Sequence, residues 1–367
     1  MKQFKLSSLL IILFLAIFQF SCEPESDILK SKDSILPERF GVEIPDALSQ
    51  QNYASNGRVA IDTLQGNLIY GHLSNFINVG ESASEFVAEV IGAIAIYRIN
   101  KPMSLTFQGE EDGRAKNMVV EEEPTFEGET WEFVLTITDA ASEAGADGGK
   151  GLQIFWNRSP IRGVALLKAY NIDRNTDFGQ AVVRIDYSET GDHGYENDMI
   201  VSIADLPLAD PLDDPYSMTT LKMYAGKNGD FVDVFGNSNH PNATFFAGNS
   251  GFNWAFVASG SRSKEIGVAE VALPPSSLDE TSRNVILKDY SIKKVFTEEI
   301  YDVWPNIGQQ SVDAFLFNTG APGYFAKQGF VSGGTSPGSA YDALESRLNA
   351  LSPYNPKDIS NLKLSFK

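Results

Sequence analysis

The sequence predicts a mainly β (α+β) protein, in which an antiparallel up-and-down meander forms a barrel or a sandwich with a few flanking helices. Two observations favour this fold. Between Met103 and Leu273, successive segments alternate apolar and polar residues with the period of two that is typical of strands. The connections between these segments are short and carry no helical pattern, whereas parallel strands would need crossover helices. The strands should therefore be antiparallel.

The alternation predicts about ten strands, at residues 103–107, 131–137, 152–156, 164–170, 181–187, 199–204, 221–225, 231–235, 254–258 and 266–273. A tight hairpin is expected at Gly226-Lys227-Asn228-Gly229, because Asn-Gly readily adopts the positive φ angles of a short turn. A barrel of that many strands would be wider than the size of about eight strands that side chains fill easily. We therefore expect a helix or a ligand inside it.

Helices are predicted at both ends of the meander. Apolar residues recur at helical spacing over Glu81–Asn100. We expect this helix to fill the interior, with its apolar stripe, including Phe86, Val90 and Ile94, turned away from solvent. Toward the C-terminus the pattern predicts two further helices and a last strand, at residues 279–301, 340–351 and 362–366.

The first 21 residues have the form of a secretory signal peptide. Lys2 and Lys5 precede the apolar run Leu6–Phe20, which is shorter than the roughly 20 apolar residues of a spanning helix. Residues 22–45 are polar with little periodicity and are typical of a flexible tether. We therefore expect a signal peptide at 1–21, a tether at 22–45 and a single β-rich extracytoplasmic domain at 46–367.

Cys22, the only cysteine, directly follows the apolar run and is preceded by the small Ser21. With the acidic stretch Glu23–Asp27 behind it, this segment resembles the lipobox and tether of bacterial lipoproteins of the Bacteroidota type. The resemblance covers residues 1–27 alone. It implies cleavage before Cys22, acylation of its thiol and a lipid-anchored protein of the outer membrane, at the cell surface or the periplasmic face. The lipid bilayer would then be a partner, because several acyl chains hold a protein stably.

Charge and composition exclude several classes of function. Loss of Lys2 and Lys5 with the signal peptide lowers the Lys and Arg count from 29 to 27 against 48 Asp and Glu, a net charge of −21. Such an acidic surface repels phosphate backbones, so we expect no nucleic-acid partner. A mature chain with no second cysteine has no disulfide and no thiolate metal site. No cofactor is expected.

One loop has the beginning of a calcium-binding pattern. Asp173, Asn175 and Asp177 alternate along the chain as oxygen ligands do at the start of an EF-type loop. Gly179 falls one place too late, and Arg184 occupies the twelfth position, where a bidentate Glu is required. The sequence therefore favours a polar hairpin loop, with these three residues kept as a candidate calcium site.

The stretch Phe315–Pro337 interleaves aromatic residues with glycines. Aromatic side chains on glycine-rich loops stack on sugar rings or gate an apolar pocket, and they also serve to pin a loop to the core. Phe317, Tyr324, Phe325 and Phe330 are accordingly candidate binding residues.

Three other features of the sequence give weaker indications of a catalytic or ligand-binding site. His72, His193 and His240 form no His-x-x-x-His pair and accompany no Gly-x-Ser-x-Gly elbow, so we expect loop histidines without partners. Gly145–Gly151 lacks the spacing and the following helix of a phosphate loop. The acidic clusters are typical of a solvated surface and lie at residues 110–112, 121–123 and 210–214.

These observations favour a membrane-anchored surface lipoprotein with a non-enzymatic binding or structural role. Its ligand would be a glycan, a lipid-like molecule or a protein. The alternative is a hydrolase that acts on glycans with a pair of carboxylates held about 5 to 9 Å apart across a cleft.

Overall fold

A computed structural model describes residues 41–49, 65–95, 99, 101–211, 214, 216–244 and 250–367. The fold is mainly β: a large antiparallel sheet of thirteen strands in chain order, accompanied by a few helices. The predicted fold class and the antiparallel arrangement are therefore confirmed. The described residues divide into two compact units: those up to Val42, within Val79–Pro207 and within Lys363–Lys367 form unit 1, and those within Glu43–Asn78 and Leu208–Leu362 form unit 2.

Unit 1 is a meander of seven strands with a small hairpin inserted into it. Its large-sheet strands are paired in the order β1-β2-β5-β6-β7-β8-β9, and β3 pairs with β4 separately. The strand bounds are β1 Met103–Gln108, β2 Ala115–Glu122, β3 Thr125–Phe126, β4 Glu129–Thr130, β5 Phe133–Asp139, β6 Lys150–Arg158, β7 Ile161–Leu167, β8 Val182–Ser188 and β9 Asn197–Ala204. A short 3₁₀ turn (Ala140–Ser142) follows β5.

In unit 2 the strands pair in chain order from β10 to β15, with a long helical connection between β13 and β14. Its strands are β10 Thr220–Asn228, β11 Phe231–Thr244, β12 Ser250–Ser261, β13 Ile266–Ala272, β14 Gly323–Ala326 and β15 Gly329–Gly333. The helices of the chain are α1 Asp46–Ser49, α2 Gly66–Ala95, α3 Ala169–Ile172, α4 Ile292–Val303, α5 Gln309–Phe315, α6 Asp342–Leu348 and α7 Pro356–Ser360, with a π-helical turn at Val285–Asp289 and a 3₁₀ turn at Ser339–Tyr341. No helix in the described ranges has both the length and the apolarity needed to cross a membrane.

The β10–β11 hairpin shows how local sequence fixes the register. Asn228 pairs with Phe231, which leaves a two-residue turn that begins at Gly229. Gly229 has φ of +59°, a conformation that costs glycine little. The predicted hairpin is therefore confirmed, but its turn is Gly229-Asp230, and Asn228 is the last residue of β10.

Each unit buries a core of its own. In unit 1, Trp131, Phe155 and Leu166 belong to a buried cluster on one face of the sheet. In unit 2, strands β12 and β13 pack against the π-helical turn and α6, with Val257 and Leu344 among the buried residues. Burial of such side chains is the main favourable contribution to folding.

Of the two alternatives that the sequence left open, a barrel or a sandwich, the closed barrel is excluded. The strand order of the described residues is open and runs from β1 to β15 without closure. Closing a sheet into a barrel requires its first and last strands to pair with a fixed stagger. Here the last strand has five residues, and its pairing with β14 is shifted between Tyr324 and Phe325. The expectation of a barrel interior filled by a helix or a ligand is therefore wrong as well.

The helix predicted at Glu81–Asn100 exists, but it begins at Gly66 and its described part ends at Ala95. The side chains of Phe86, Val90 and Ile94 lie outside the described residues. The strand predicted at residues 362–366 is wrong, because this segment is irregular. The C-terminal helix is shorter than predicted and spans Asp342–Leu348.

Candidate functional site

The lipidation candidate Cys22 lies outside the described residues, so its acylation stays a prediction. The other candidate residues are described, and they lie at several separate places in the two units.

The first place is a network of charged side chains in unit 1, at the β1–β2 turn, the end of β5 and the segment after α3. Asp139 Oδ2 accepts a hydrogen bond from Arg114 Nη2 at 2.7 Å and from Arg174 Nη2 at 2.5 Å. Lys116 Nζ donates to Asp112 Oδ2 at 2.9 Å, and both of these side chains are almost completely buried. We call these five residues the carboxylate network.

The electrostatics of the carboxylate network keep both acids ionised. Burial acts to raise the pKa of Asp139, but hydrogen bonds from Arg114 and Arg174 outweigh it and hold that pKa far below its usual range. Burial likewise opposes ionisation of Asp112, but the hydrogen bond and charge of Lys116 together with the backbone N–H groups of Arg114 and Arg174 outweigh it, so that its pKa is also lowered. These carboxylates are therefore structural anchors and do not have the raised pKa of a general acid.

A second ion pair holds the glycine-rich loop that precedes β6. Asp147 Oδ2 lies 2.7 Å from Lys168 Nζ and accepts a hydrogen bond from Asn171 Nδ2 at 2.9 Å. Burial opposes ionisation of Asp147, but the hydrogen bonds from Lys168, Asn171 and the backbone N–H of Gly149 together outweigh it and lower its pKa to about 2. Gly148 and Gly149 both have positive φ, and a strand follows them directly. The loop at Gly145–Gly151 is therefore a turn that places Asp147 beside Lys168 and Asn171.

The calcium candidates are divided between the interior and the surface. Asp173 is buried, and its Oδ1 accepts a hydrogen bond from the backbone N–H of Asn175 at 2.9 Å. Asn175 and Asp177 are exposed, and Asn175 Nδ2 donates to the backbone oxygen of Glu111. Among the described residues, no three His, Cys, Asp or Glu side chains are grouped so as to hold a metal ion.

The second place is the buried pair formed by His240 and Ser238 in unit 2. His240 lies on β11 and not in a loop, and it has two hydrogen-bond partners, which overturns the expectation for this residue. Its Nδ1 is 2.7 Å from the backbone oxygen of Tyr216, and its Nε2 is 2.8 Å from Ser238 Oγ. Because a carbonyl oxygen only accepts, Nδ1 carries the proton and Ser238 donates to Nε2. Burial lowers the pKa of His240 to about 4, so the ring is neutral at pH 7.

Aromatic rings surround this pair on the same side of the sheet. Trp254 and Phe252 are the cross-strand partners of Ser238 and His240 on β12. From α2, the ring of Phe76 lies 5.6 Å from that of His240 and 5.8 Å from that of Trp254, measured between ring centroids. His72, one turn before Phe76, places its ring 5.5 Å from Trp254. We call the group His72, Phe76, His240 and Trp254 the histidine recess.

The remaining histidine also has a partner. His193 lies at the β8–β9 connection with its Nδ1 2.9 Å from Asp198 Oδ2. Its ring is mostly exposed, whereas Asp198 is buried. The prediction of a loop position is correct for this residue, and the prediction that it lacks a partner is wrong.

The third place is the glycine-rich aromatic stretch. Tyr324 and Phe325 on β14 are buried, so these two candidates belong to the core. Phe330 stacks on Tyr70 of α2 with ring centroids 5.1 Å apart and planes inclined by 12°. Phe317 is 64% exposed. The stretch therefore combines rings that pin it to the core with one ring that projects into solvent.

Several exposed apolar side chains lie on segments that are joined to the loop of Phe317. Of the seven large hydrophobic residues exposed in the described ranges, five lie on segments of unit 2 that contact one another. The start of α2 is joined to this loop by the hydrogen bond from Gly66 N to Phe317 O at 3.2 Å. A Cβ on Gly66 would meet the Phe330 ring at 2.7 Å, so β15 is adjacent as well. Helices α4 and α5 are joined by the buried cluster of Ile300, Val312 and Leu316. We call these five residues the apolar surface: Leu68, Val303, Trp304, Phe317 and Val331.

Sequence reasoning missed the histidine recess, although one signal was present. Ser238 and His240 are two residues apart, which places them on the same face of a strand. The strand predicted at residues 231–235 stopped short of them, whereas β11 continues to Thr244.

No known protein family, curated protein or solved structure matches this chain.

Proposed function

We propose that the protein is a lipid-anchored surface protein with a non-enzymatic role, which binds a protein partner through the apolar surface. The observation that carries this proposal is the concentration of five exposed apolar side chains on contacting segments of unit 2. Exposed hydrophobic side chains scattered singly need no explanation, whereas a contiguous group of them is typical of interaction sites. We infer that the five side chains act as such a group, because the segments that carry them adjoin one another.

The rigid base under Phe317 supports the same proposal. Phe330 is held between Tyr70 and Phe325, with ring centroids 5.1 and 5.9 Å apart. Gly333 N–H donates to Asn318 Oδ1 at 2.7 Å and ties the loop to β15. A side chain presented on a fixed backbone loses little conformational entropy on binding, so its burial against a partner contributes more to affinity.

The anchoring part of the proposal rests on Cys22 and the apolar run before it. We expect Cys22→Ala to abolish incorporation of an alkyne fatty acid, because no other thiol exists in the chain. Cys22→Ser is the matched control, since it keeps the size and polarity of the side chain and also lacks the thiol. Label that persisted in either variant would contradict the anchor.

The hydrolase alternative has less support. Its general acid needs a raised pKa near neutrality. In the described ranges, the carboxyl groups whose pKa departs clearly from the ordinary value are shifted downward, as at Asp112, Asp139 and Asp147.

The binding surface can be tested in cells by photo-crosslinking. p-Benzoylphenylalanine in place of Phe317 should give one discrete adduct on irradiation, because this side chain would be buried against the partner. The same probe in place of Leu208, an exposed residue outside the apolar surface, is the control. Adding Val331→Ser or Leu68→Ser should remove the adduct at position 317. An adduct that survives both substitutions, or that also forms at 208, would overturn the proposal, as would no adduct at all.

A further inference from the structure

Strand β1 lies at one end of the large sheet, and one of its edges has no partner among the described strands. It pairs with β2 over six consecutive residues and with no other described strand. The backbone groups of such an edge can pair with a further strand, and folded proteins usually prevent this with charged side chains, proline, a bulge or a very short strand. Met103–Gln108 contains no charged residue and no proline, and its register is unbroken. By contrast, β15 at the other end of the sheet has five residues and a shifted register. The edge of β1 is therefore the unprotected one.

The hydrogen bonds next to β1 show which backbone groups point toward this edge. Gly109 N–H donates to the backbone oxygen of Arg114 at 2.8 Å, and this pair continues the β1–β2 register. Hydrogen-bonded and non-hydrogen-bonded pairs alternate along an antiparallel ladder. The odd-numbered residues of β1 therefore bond to β2, and the N–H and C=O groups of the even-numbered residues point away from it. These residues are Ser104, Thr106 and Gln108.

The apolar side chains of β1 are only partly covered. Met118 and Val120 on β2 are 1% and 2% exposed. Their cross-strand partners Leu105 and Met103 lie on the same face of the sheet and are half-buried. A further strand beside β1 would cover this row, and burial of apolar surface is favourable. Pairing at this edge would therefore satisfy backbone groups and bury side chains together.

The partner that fits this edge is a second copy of β1 in antiparallel orientation. When Thr106 lies opposite Thr106 of the second copy, Ser104 of each copy lies opposite Gln108 of the other. All three residues that face the edge then form hydrogen-bonded pairs, and three pairs with two bonds each give about six backbone hydrogen bonds. The same register places Leu105 opposite Phe107, so the apolar side chains of the two copies meet on one face.

Charged residues on either side of β1 complement one another in this register. The chain has 48 acidic and 29 basic residues, so two copies repel each other wherever their acidic surfaces meet. Lys101 lies five residues before Thr106 and Glu111 lies five residues after it, and both are exposed. Antiparallel pairing about Thr106 therefore brings Lys101 of each copy next to Glu111 of the other. Complementary charges at the ends of a pairing favour one register and one orientation over others.

We propose that the protein forms a twofold dimer in which the β1 strands of two copies pair antiparallel, centred on Thr106. The strand supplies the donors and acceptors of the interface, its uncharged side chains allow two acidic chains to approach, and Lys101 and Glu111 fix the register. No residue of the apolar surface belongs to β1, so the dimer does not depend on the proposed function.

Cysteine crosslinking of the full-length chain in cells tests the register. In this dimer the Cα atoms of residue 106 in the two copies are about 5.5 Å apart, within the range of about 4.4–6.8 Å that a disulfide spans. We expect Thr106→Cys to give a disulfide-linked homodimer on oxidation. Asn117→Cys is the matched control, because Asn117 is the β2 neighbour of Thr106, and its two copies would be three strand spacings or about 14 Å apart. Wild type reports any disulfide formed at Cys22.

Native mass spectrometry of the full-length chain, released from detergent, measures the strength of the pairing. We expect dimers with a dissociation constant below about 100 µM. Thr106→Pro should weaken the dimer by about tenfold or more and keep the circular dichroism spectrum, since proline is tolerated on an edge strand where its missing N–H would point outward. Thr106→Val keeps the branched side chain and the N–H, and it should dimerise as the wild type does.

A charge swap tests the contact between Lys101 and Glu111. Lys101→Glu should weaken the dimer by about fivefold at low salt, because two carboxylates then meet at each end of the pairing. Adding Glu111→Lys to the same chain should restore the wild-type dissociation constant, since each end again carries opposite charges.

Any of four results would overturn the proposal: a monomer at all concentrations up to about 100 µM, a dimer unaffected by Thr106→Pro, crosslinking no more efficient at residue 106 than at 117, or a Lys101→Glu defect that Glu111→Lys does not restore. Crosslinking of Thr106→Cys to a different protein alone would also overturn it, because the edge would then have another occupant. Phe317→Ser should leave the dimer intact, and a dimer that required Phe317 would be formed through the apolar surface instead. The adduct expected at Phe317 is measured separately, so failure of either proposal is distinguishable from failure of the other.

Discussion

Replacement of Asp139 by asparagine tests whether the carboxylate network holds unit 1 together. The side chain of Asp139 is fully buried and accepts hydrogen bonds from Arg114, Arg174 and Ser142. Asp139→Asn keeps the shape of the side chain and removes its charge. Arg114 and Arg174 then lose the one carboxylate that they share.

The size of the effect follows from how far the two cations can recover their hydration. Removing one partner of a fully buried ion pair costs about 3–5 kcal/mol, because the other charge is left uncompensated. Here the guanidinium side chains keep 34% of their surface exposed at Arg114 and 21% at Arg174. We therefore expect a loss near the lower end, about 3 kcal/mol in the free energy of unfolding of unit 1.

The assay must report on unit 1 alone. Hydrogen exchange in increasing urea, followed by mass spectrometry of peptides from β5 and β6, gives the free energy of opening of the strands that carry Asp139. The matched control is Glu132→Gln in the same unit, whose ion pair with Arg158 is largely exposed. That change should cost no more than about 1 kcal/mol.

The loss of stability at acid pH gives a second measurement of the contribution of Asp139. The pKa of Asp139 is lowered in the folded protein from its ordinary value of 3.8. Its contribution is therefore complete above pH 3.8 and is lost as the pH falls below that value. Wild type should lose stability below pH 3.8 more steeply than Asp139→Asn does. If Asp139→Asn were as stable as Glu132→Gln at pH 7, the carboxylate network would contribute nothing measurable and the electrostatic reasoning would be refuted.

Three further predictions concern other parts of the molecule. His240 has a pKa of about 4 in the folded protein against 6.5 as its ordinary value, so the unfolded chain binds the proton first as the pH falls. Stability should be intact above pH 6.5 and should fall toward pH 4 by up to about 3 kcal/mol; a urea midpoint that changes equally between pH 7 and 5 in wild type and His240→Asn would contradict this. Gly323→Ala places a Cβ 2.6 Å from the buried Tyr70 ring and should cost about 1–3 kcal/mol, whereas Gly308→Ala, where a Cβ meets nothing within 4 Å, should leave the melting temperature unchanged. EDTA should lower the melting temperature by less than about 5 °C. A larger shift would indicate that the loop at Asp173 binds calcium.

Part of the candidate sites could be found in the sequence and part could not. The aromatic stretch was visible because glycine and aromatic residues alternate in it, and Phe317 was among its binding candidates. What the sequence could not distinguish is that Tyr324 and Phe325 face the core whereas Phe317 faces solvent. That difference depends on Tyr70, which lies far earlier in the chain and packs against Phe330 and Phe325.

The strand β2 shows the same limit for the fold. Its inward positions are Lys116, Met118 and Val120, and a lysine at the first of them breaks the apolar alternation by which strands are recognised. Lys116 is tolerated there because Asp112 neutralises it across the β1–β2 turn. The first half of α2 was missed for a related reason, since helix residues buried on several sides lack the one-sided stripe that reveals a surface helix.

The sequence by itself determined the local structure of this protein: ten of its strands, their antiparallel order and the Asn-Gly hairpin, since alternation and turn chemistry act between neighbouring residues. Only the tertiary structure decided that the sheet stays open and that two arginines share the buried Asp139. It also placed His72 and Phe76 of α2 beside His240 and Trp254. Each of these depends on residues far apart in the chain, where the pattern of one segment carries no information about the side chains of another.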